Sequence, residues 1–156
     1  MRRLIAVPGS VDAAPVDYQL QIEANVLART IWGEARGEGV AGMQGVGNVV
    51  MNRVRIARQK GKFWWGNDVI GVCQKPYQFS CWNKGDANFE KIQAVDGRDL
   101  VFASAMRLGF RAVIGQLADI TGGATHYHAA GMMPNWARGQ VPSATIGRHV
   151  FYRDIA

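Results

Sequence analysis

The stretch Ala28–Gly39, ARTIWGEARGEG, places two carboxylates, Glu34 and Glu38, at the glycine-rich end of an apolar stripe. Upstream of it Ile22, Val26, Leu27, Ala28 and Ile31 recur at helical spacing, which predicts an amphipathic helix from about Asp17 that ends near Trp32 or Gly33. Gly37 and Gly39 then stop it. Glycine weakens a helix and frees the backbone, so an acid held among glycines at a helix end serves something other than helix stability. Glu34 follows Ile31 and Trp32, and a carboxyl in a partly dehydrated place keeps its proton near neutral pH, as a general acid must. A solvated acid at a helix end would show the same spacing.

Glu38 lies four residues further on. In an unbroken helix the two carboxyls would share a face, within the roughly 5 to 5.5 Å of a retaining glycosidase pair. The flanking glycines argue against an unbroken helix. Glu38 is therefore a candidate second carboxylate, a partner of Arg36 or Arg53, or a surface acid.

Downstream, VAGMQGVGNVVMNRVRIARQ predicts a second helix with Met43, Val46, Val50 and Val54 on one side and Ala41, Gly42 and Gly45 as small surfaces. Each interior glycine costs up to ~1 kcal/mol relative to alanine. Their repetition implies close approach of another backbone, that of the first helix, with the two acids at the corner. Residues 61–86, GKFWWGNDVIGVCQKPYQFSCWNKGD, have no clean period and read as a long shaped loop, a kind that is often functional.

A third helix is expected over FEKIQAVDGRDLVFASAMRLG, with DGRD as the point where it could divide. ADITGGA is a turn. THYHA and IGRHVFYRD alternate as two short antiparallel strands joined by the Met132 to Thr145 loop. Residues 1–17 read as an N-terminal arm and 18–156 as one domain, α+β and mainly helical.

The chain has 156 residues, 48% hydrophobic and 19% charged, enough for one core. Its net charge of +6 suits a polyanionic neighbourhood: nucleic acid, anionic lipid or an acidic wall polymer. The basic residues are dispersed and no recognition motif accompanies them, so nucleic acid is not the expected partner. The apolar run Leu4–Val7 is too short for a secretory signal, and no window approaches the ~20 apolar residues of a membrane span. Delivery to a substrate outside the cytoplasm would need another device. Cys73 and Cys81 could close a short loop in an oxidising compartment or remain two thiols.

Two further groups carry chemical potential. His126 and His128 alternate on one strand face and His149 is the third histidine, a conceivable zinc set and the basis of an alternative reading as a zinc amidase. Trp64, Trp65, Tyr77, Phe79, Trp82, Tyr127 and Trp136 cluster in loops beside Gln78, Asn83 and Asn135. Flat apolar faces rimmed by amides suit sugar rings, and also bases.

Four segments in register, IWGEARGEGVAGMQGVGNVVMNRV, VCQKPYQFSCWN, GGATHYHAAGMMPNWA and IGRHVFYR, resemble the bacterial and phage cell-wall hydrolases that include the germination-specific spore cortex-lytic enzymes. The resemblance implies a lysozyme- or lytic-transglycosylase-like domain acting on peptidoglycan. It also implies an essential glutamate at the first acid of GEARGE, Glu34, with cleft walls from Gln78, Phe79, Ser80, His126 and Tyr127. Trp136 joins them as a substrate-binding candidate. The small basic form is similar to a phage endolysin, released to the wall on lysis. The expected reaction is cleavage between N-acetylmuramic acid and N-acetylglucosamine by a monomer without cofactor or metal. Transglycosylation by Glu34 alone is set beside hydrolysis with Glu38, Asp86 or Asp119 as second carboxylate. A non-catalytic wall-binding module would keep the aromatic cleft and perform no reaction.

Overall fold

In a computed structural model of the protein, residues 10–155 are described, with side chains from residue 18 onward. Residues 1–9 of the expected arm lie outside the described residues; the remainder of that segment is already helical, because α1 runs Ser10–Ala35. Leu27, Ala28 and Ile31 on this helix are fully buried, and α1 is the axis about which the other helices pack. α2 spans Gly39–Lys60 and α5 Leu100–Val113, and both lie against α1. A Cβ at Gly109 would stand 2.8 Å from the Ala24 carbonyl oxygen, so only glycine lets α5 come this close.

α1 ends at Ala35, later than the glycines suggest. The Arg36 N–H still donates to the Trp32 carbonyl (3.1 Å) and the Glu38 N–H to Ala35 (2.9 Å), after which Gly39 at φ +76° turns the chain into α2. Gly47 of α2 does meet α1, at the Ile31 side chain, but Gly45 meets the ring of Phe151 from the sheet.

The expected long loop holds a short helix, α3 (Val69–Gln74), capped by Asp68, and a 3-10 turn, Ser80–Trp82. DGRD does divide the third helical segment, into α4 (Ala87–Ala94) and α5, whose start is capped by Asp99 accepting from the Phe102 N–H. β1 (His126–Ala129) pairs antiparallel with β3 (His149–Tyr152), as the alternation predicts. A third strand, β2 (Ala144–Ile146), straddles the end of the expected connecting loop and the start of the expected IGRHVFYRD strand, which the turn at Gly147 and Arg148 breaks, and it pairs with the other edge of β3. Three residues are too few to show a period of two. The result is the α+β, mainly helical class expected. Among the described residues, no helix is long and apolar enough to cross a membrane.

Candidate active site

Glu34 occupies the last turn of α1. Its neighbour Gly33 brings the helix against the Ser80–Trp82 turn and α4, since a Cβ there would lie 2.9 Å from both Cys81 Cβ and Ile92 Cγ2. This contact sets Glu34 beside the Ser80 backbone N–H, which donates to its carboxylate. The carboxyl pKa is raised from the usual 4.5 to about 7. Burial is the main cause, the charge of Asp86 adds to it, and the Ser80 N–H opposes both. Asp86 is itself fixed, accepting the Asn88 N–H at the start of α4 (2.8 Å). The Tyr127 phenol is held well above its ordinary pKa by burial and by the charge of Glu34.

A cavity of about 290 Å³ opens between the rings of Trp64 and Trp136, the Lys75–Gln78 segment and His126, with Arg53 in its lining. A second, of about 410 Å³, shares Pro76 and Tyr77 with it and extends over Trp82 and Asn83. Tyr77 between them is 88% exposed and sits at φ +65°, a conformation costly for a tyrosine. Its N–H donates to the Asn83 side chain (3.2 Å), which ties the backbone at this position to the segment after the 3-10 turn.

The candidates read from sequence divide in three dimensions. Ser80 is exposed and its N–H reaches Glu34. His126 lines the cavity as a neutral imidazole, its pKa lowered to about 4 by burial and by the Arg53 cation, and it bonds Thr125 Oγ1 (2.9 Å). Trp136 packs against the rings of His126, His128 and Tyr152. Gln78 ties the loop together, its Nε2 donating to the carbonyls of Trp65 and Val72 (2.9 and 2.8 Å). Phe79 is a correction: at 2% exposure it is core, under the Arg53 guanidinium, and offers no face to a sugar.

Glu38 pairs with neither Arg36 nor Arg53. It accepts from Arg148, through Nε at 3.0 Å and the backbone N–H at 3.2 Å, and its pKa is lowered chiefly by that N–H. It pins the corner between α1 and α2 to the turn joining β2 and β3. Arg36 instead lies over Trp32 and donates to Asn88. Asp119 is also engaged, accepting from Thr121, Gly123 and Asn52.

The three histidines do not converge. Both ring nitrogens of His128 are within hydrogen-bond distance of partners, Tyr152 OH at 2.9 Å and the Ala129 carbonyl at 2.7 Å. His149 is paired with Ala129 in the ladder, which puts it on the opposite face of the sheet from His126 and His128. Among the described residues no three His, Cys, Asp or Glu side chains gather as a metal site. Cys73 and Cys81 are free, buried thiols, and burial pushes the Cys73 thiol up to about 12.

Sequence reasoning missed Arg53 as a site residue. It is 8% exposed, with Nε donating to the Thr125 carbonyl (2.7 Å) and the guanidinium over the rings of Trp65 and Phe79. Nothing in NVVMNRV separates it from the surface arginines that follow.

The sequence profile of the family described as Cell Wall Hydrolase matches residues 37–152. Among solved structures, the catalytic domain of the Bacillus cereus SleB protein matches with a TM-score of 0.64 and 25% identity, over 84% of this chain and 89% of that one. The catalytic domain of the germination-specific lytic transglycosylase SleB from Bacillus anthracis matches with a TM-score of 0.63 and 26% identity, over 84% and 93%. No curated protein is significantly similar. The profile match begins three residues after Glu34, so the case for that residue stands on its geometry.

Proposed function

We propose that this chain, which belongs to the cell wall hydrolase family, cleaves the glycan strands of peptidoglycan between N-acetylmuramic acid and N-acetylglucosamine as a lytic transglycosylase. The observation that carries the proposal is the Glu34 carboxyl at the end of α1, whose pKa of about 7 leaves it partly protonated at neutral pH. The protonated carboxyl gives its proton to the glycosidic oxygen as the bond breaks. The positive charge that develops at the sugar is stabilised by nearby dipoles and by the carboxylate just formed, in a site from which water is partly excluded. That carboxylate then takes the proton of the muramic 6-hydroxyl, whose oxygen closes on the anomeric carbon to give a 1,6-anhydro end. One group serves as acid and base, and no water is consumed.

A second reading, hydrolysis, is favoured by one observation: Asp86 is near enough for its charge to raise Glu34. A second carboxylate there could activate water on the other face of the sugar. Glu38, held as an ion by Arg148, fits that task less well. We place the site of action at the cell wall, outside the cytoplasmic membrane, where the net charge of +6 draws the protein to anionic polymers.

Mass spectrometry of fragments released from purified peptidoglycan tests the proposal. Ends in 1,6-anhydro-muramic acid support transglycosylation, reducing ends support hydrolysis, and the absence of any soluble product rejects both.

A further inference from the structure

Arg53 is a buried cation without a counter-ion. Its Nη1 is enclosed and has no hydrogen-bond partner among the described residues, and no carboxylate there forms an ion pair with it. An unpaired buried charge is strongly unfavourable, and an arginine fork is shaped for a carboxylate. The side chain is held rigidly: Thr125 accepts from Nε, the Trp65 and Phe79 rings flank the guanidinium, and the Arg53 carbonyl accepts from Trp65 Nε1 (3.0 Å).

The cavity that Arg53 lines carries a second cation, Lys75, and neither Asp nor Glu. His126 is neutral there and adds no competing charge. Trp64, Tyr77 and Trp136 supply flat faces, and the Gln78 side chain stands beside them. Gln78 of this lining stands two residues before Ser80, whose backbone N–H acts on Glu34, so one short loop runs from the cavity to the acid.

We infer that this cavity is a subsite for a carboxylate-bearing amino sugar, with Arg53 holding the carboxylate and the aromatic rings holding the pyranose. The inference rests on peptidoglycan being the substrate, where such a carboxylate has two sources: the lactyl group of a muramic acid that carries no peptide, or the peptide stem whose amide link otherwise consumes that group.

The full chain is titrated with four probes that have no glycosidic bond to cut: N-acetylmuramic acid, its methyl ester, N-acetylglucosamine and N-acetylmuramoyl dipeptide. The indole signals of Trp64 and Trp136 are followed by NMR. The expected result is that N-acetylmuramic acid binds about tenfold or more tightly than its ester and N-acetylglucosamine, the ratio expected for one charge-assisted hydrogen bond. Arg53→Gln should erase that preference and Arg53→Lys should retain part of it. A preference for the acid over its ester identifies the lactyl source, whereas a dipeptide that binds about tenfold or more tightly than the ester, while the acid does not, identifies the stem. No preference of either the acid or the dipeptide over the ester, or a preference unchanged in folded Arg53→Gln, overturns the inference. The comparison of the three muramoyl probes on the unaltered protein decides the matter even where Arg53→Gln does not fold. Because binding is read without turnover, a carboxylate preference in a protein that releases no wall fragments would refute the cleavage reading alone. Cleavage without the preference would refute the subsite alone.

Discussion

Asp86 caps α4 from a position where its charge adds to the rise that burial gives the pKa of Glu34, so one carboxylate both starts a helix and favours the protonated form of a second. Asparagine caps helices as well as aspartate does, which makes Asp86→Asn a clean way to remove the charge alone. Without that charge the pKa of Glu34 falls, and the alkaline limb of the pH–rate profile moves to lower pH. The movement should be less than about one pH unit, because burial is the larger cause. A hydrolase that relied on Asp86 to activate water would instead lose roughly 10² to 10⁴ in rate at every pH.

Glu34 should also show itself in stability. Folding raises its pKa from the usual 4.5 to about 7, so between these values the folded state holds a proton that the unfolded state has released. Stability then falls as pH rises from about 4.5 to about 7, and is level above that with respect to this group. The ceiling is about 3 kcal/mol, and solvent screening of a half-buried side chain brings it lower. Glu34→Gln removes the ionisation and keeps an acceptor for the Ser80 N–H. It should match the parent near pH 4, exceed it by roughly 1 to 2 kcal/mol at pH 8, and lose nearly all cleavage. Urea titrations at the two pH values check the first claim; equal stabilities at pH 8 would count against a desolvated acid.

What the sequence disclosed follows from where the information lies. Glu34 was legible because its apolar stripe, its glycines and its motif are all local, and the helices of α1, α2 and α5 were legible from period alone. Asp86 could be named only as one of three candidate second carboxylates and not as the charge that raises Glu34, because their proximity exists only once Gly33 packs on Cys81 and Ile92. Arg53 was missed for a related reason: its burial depends on Thr125, Trp65 and Phe79 closing around it from three separate segments. Phe79 was misplaced because an aromatic residue in a loop reads the same whether it faces a cleft or the core.

Glu38 and Arg148 give a third test. The pair joins the start of α2 to the turn between β2 and β3, and the arginine side chain is 78% exposed. Such a contact positions a turn and has no proton to offer, since Glu38 stays ionised. Glu38→Gln should therefore keep cleavage within about threefold of the parent, as expected for a surface ion pair of small worth. A loss of two orders of magnitude would restore Glu38 as a second catalytic carboxylate.

Gly33 is the residue on which the geometry of Glu34 turns. Alanine is the better helix former by up to ~1 kcal/mol, so propensity alone predicts that Gly33→Ala stabilises α1. Packing predicts the reverse. The new methyl would meet Cys81 Cβ and Ile92 Cγ2 at 2.9 Å and Cys81 Sγ at 3.0 Å, and a Cβ cannot withdraw without moving its backbone. The backbone in question belongs to the turn that carries the Ser80 N–H. Overpacking of this kind costs roughly 1 to 3 kcal/mol, so the net change should be destabilising, and cleavage should fall further than stability requires because Glu34 loses its donor. Gly37, four residues away, has nothing within 4 Å of an added Cβ, so Gly37→Ala should alter stability by no more than about 0.5 kcal/mol. Thermal or urea denaturation of the two variants, with wall-cleavage rates measured at the same temperature, separates packing from propensity: a Gly33→Ala protein as stable and active as Gly37→Ala would show that the close approach of α1 to the Ser80–Trp82 turn is dispensable for holding the acid.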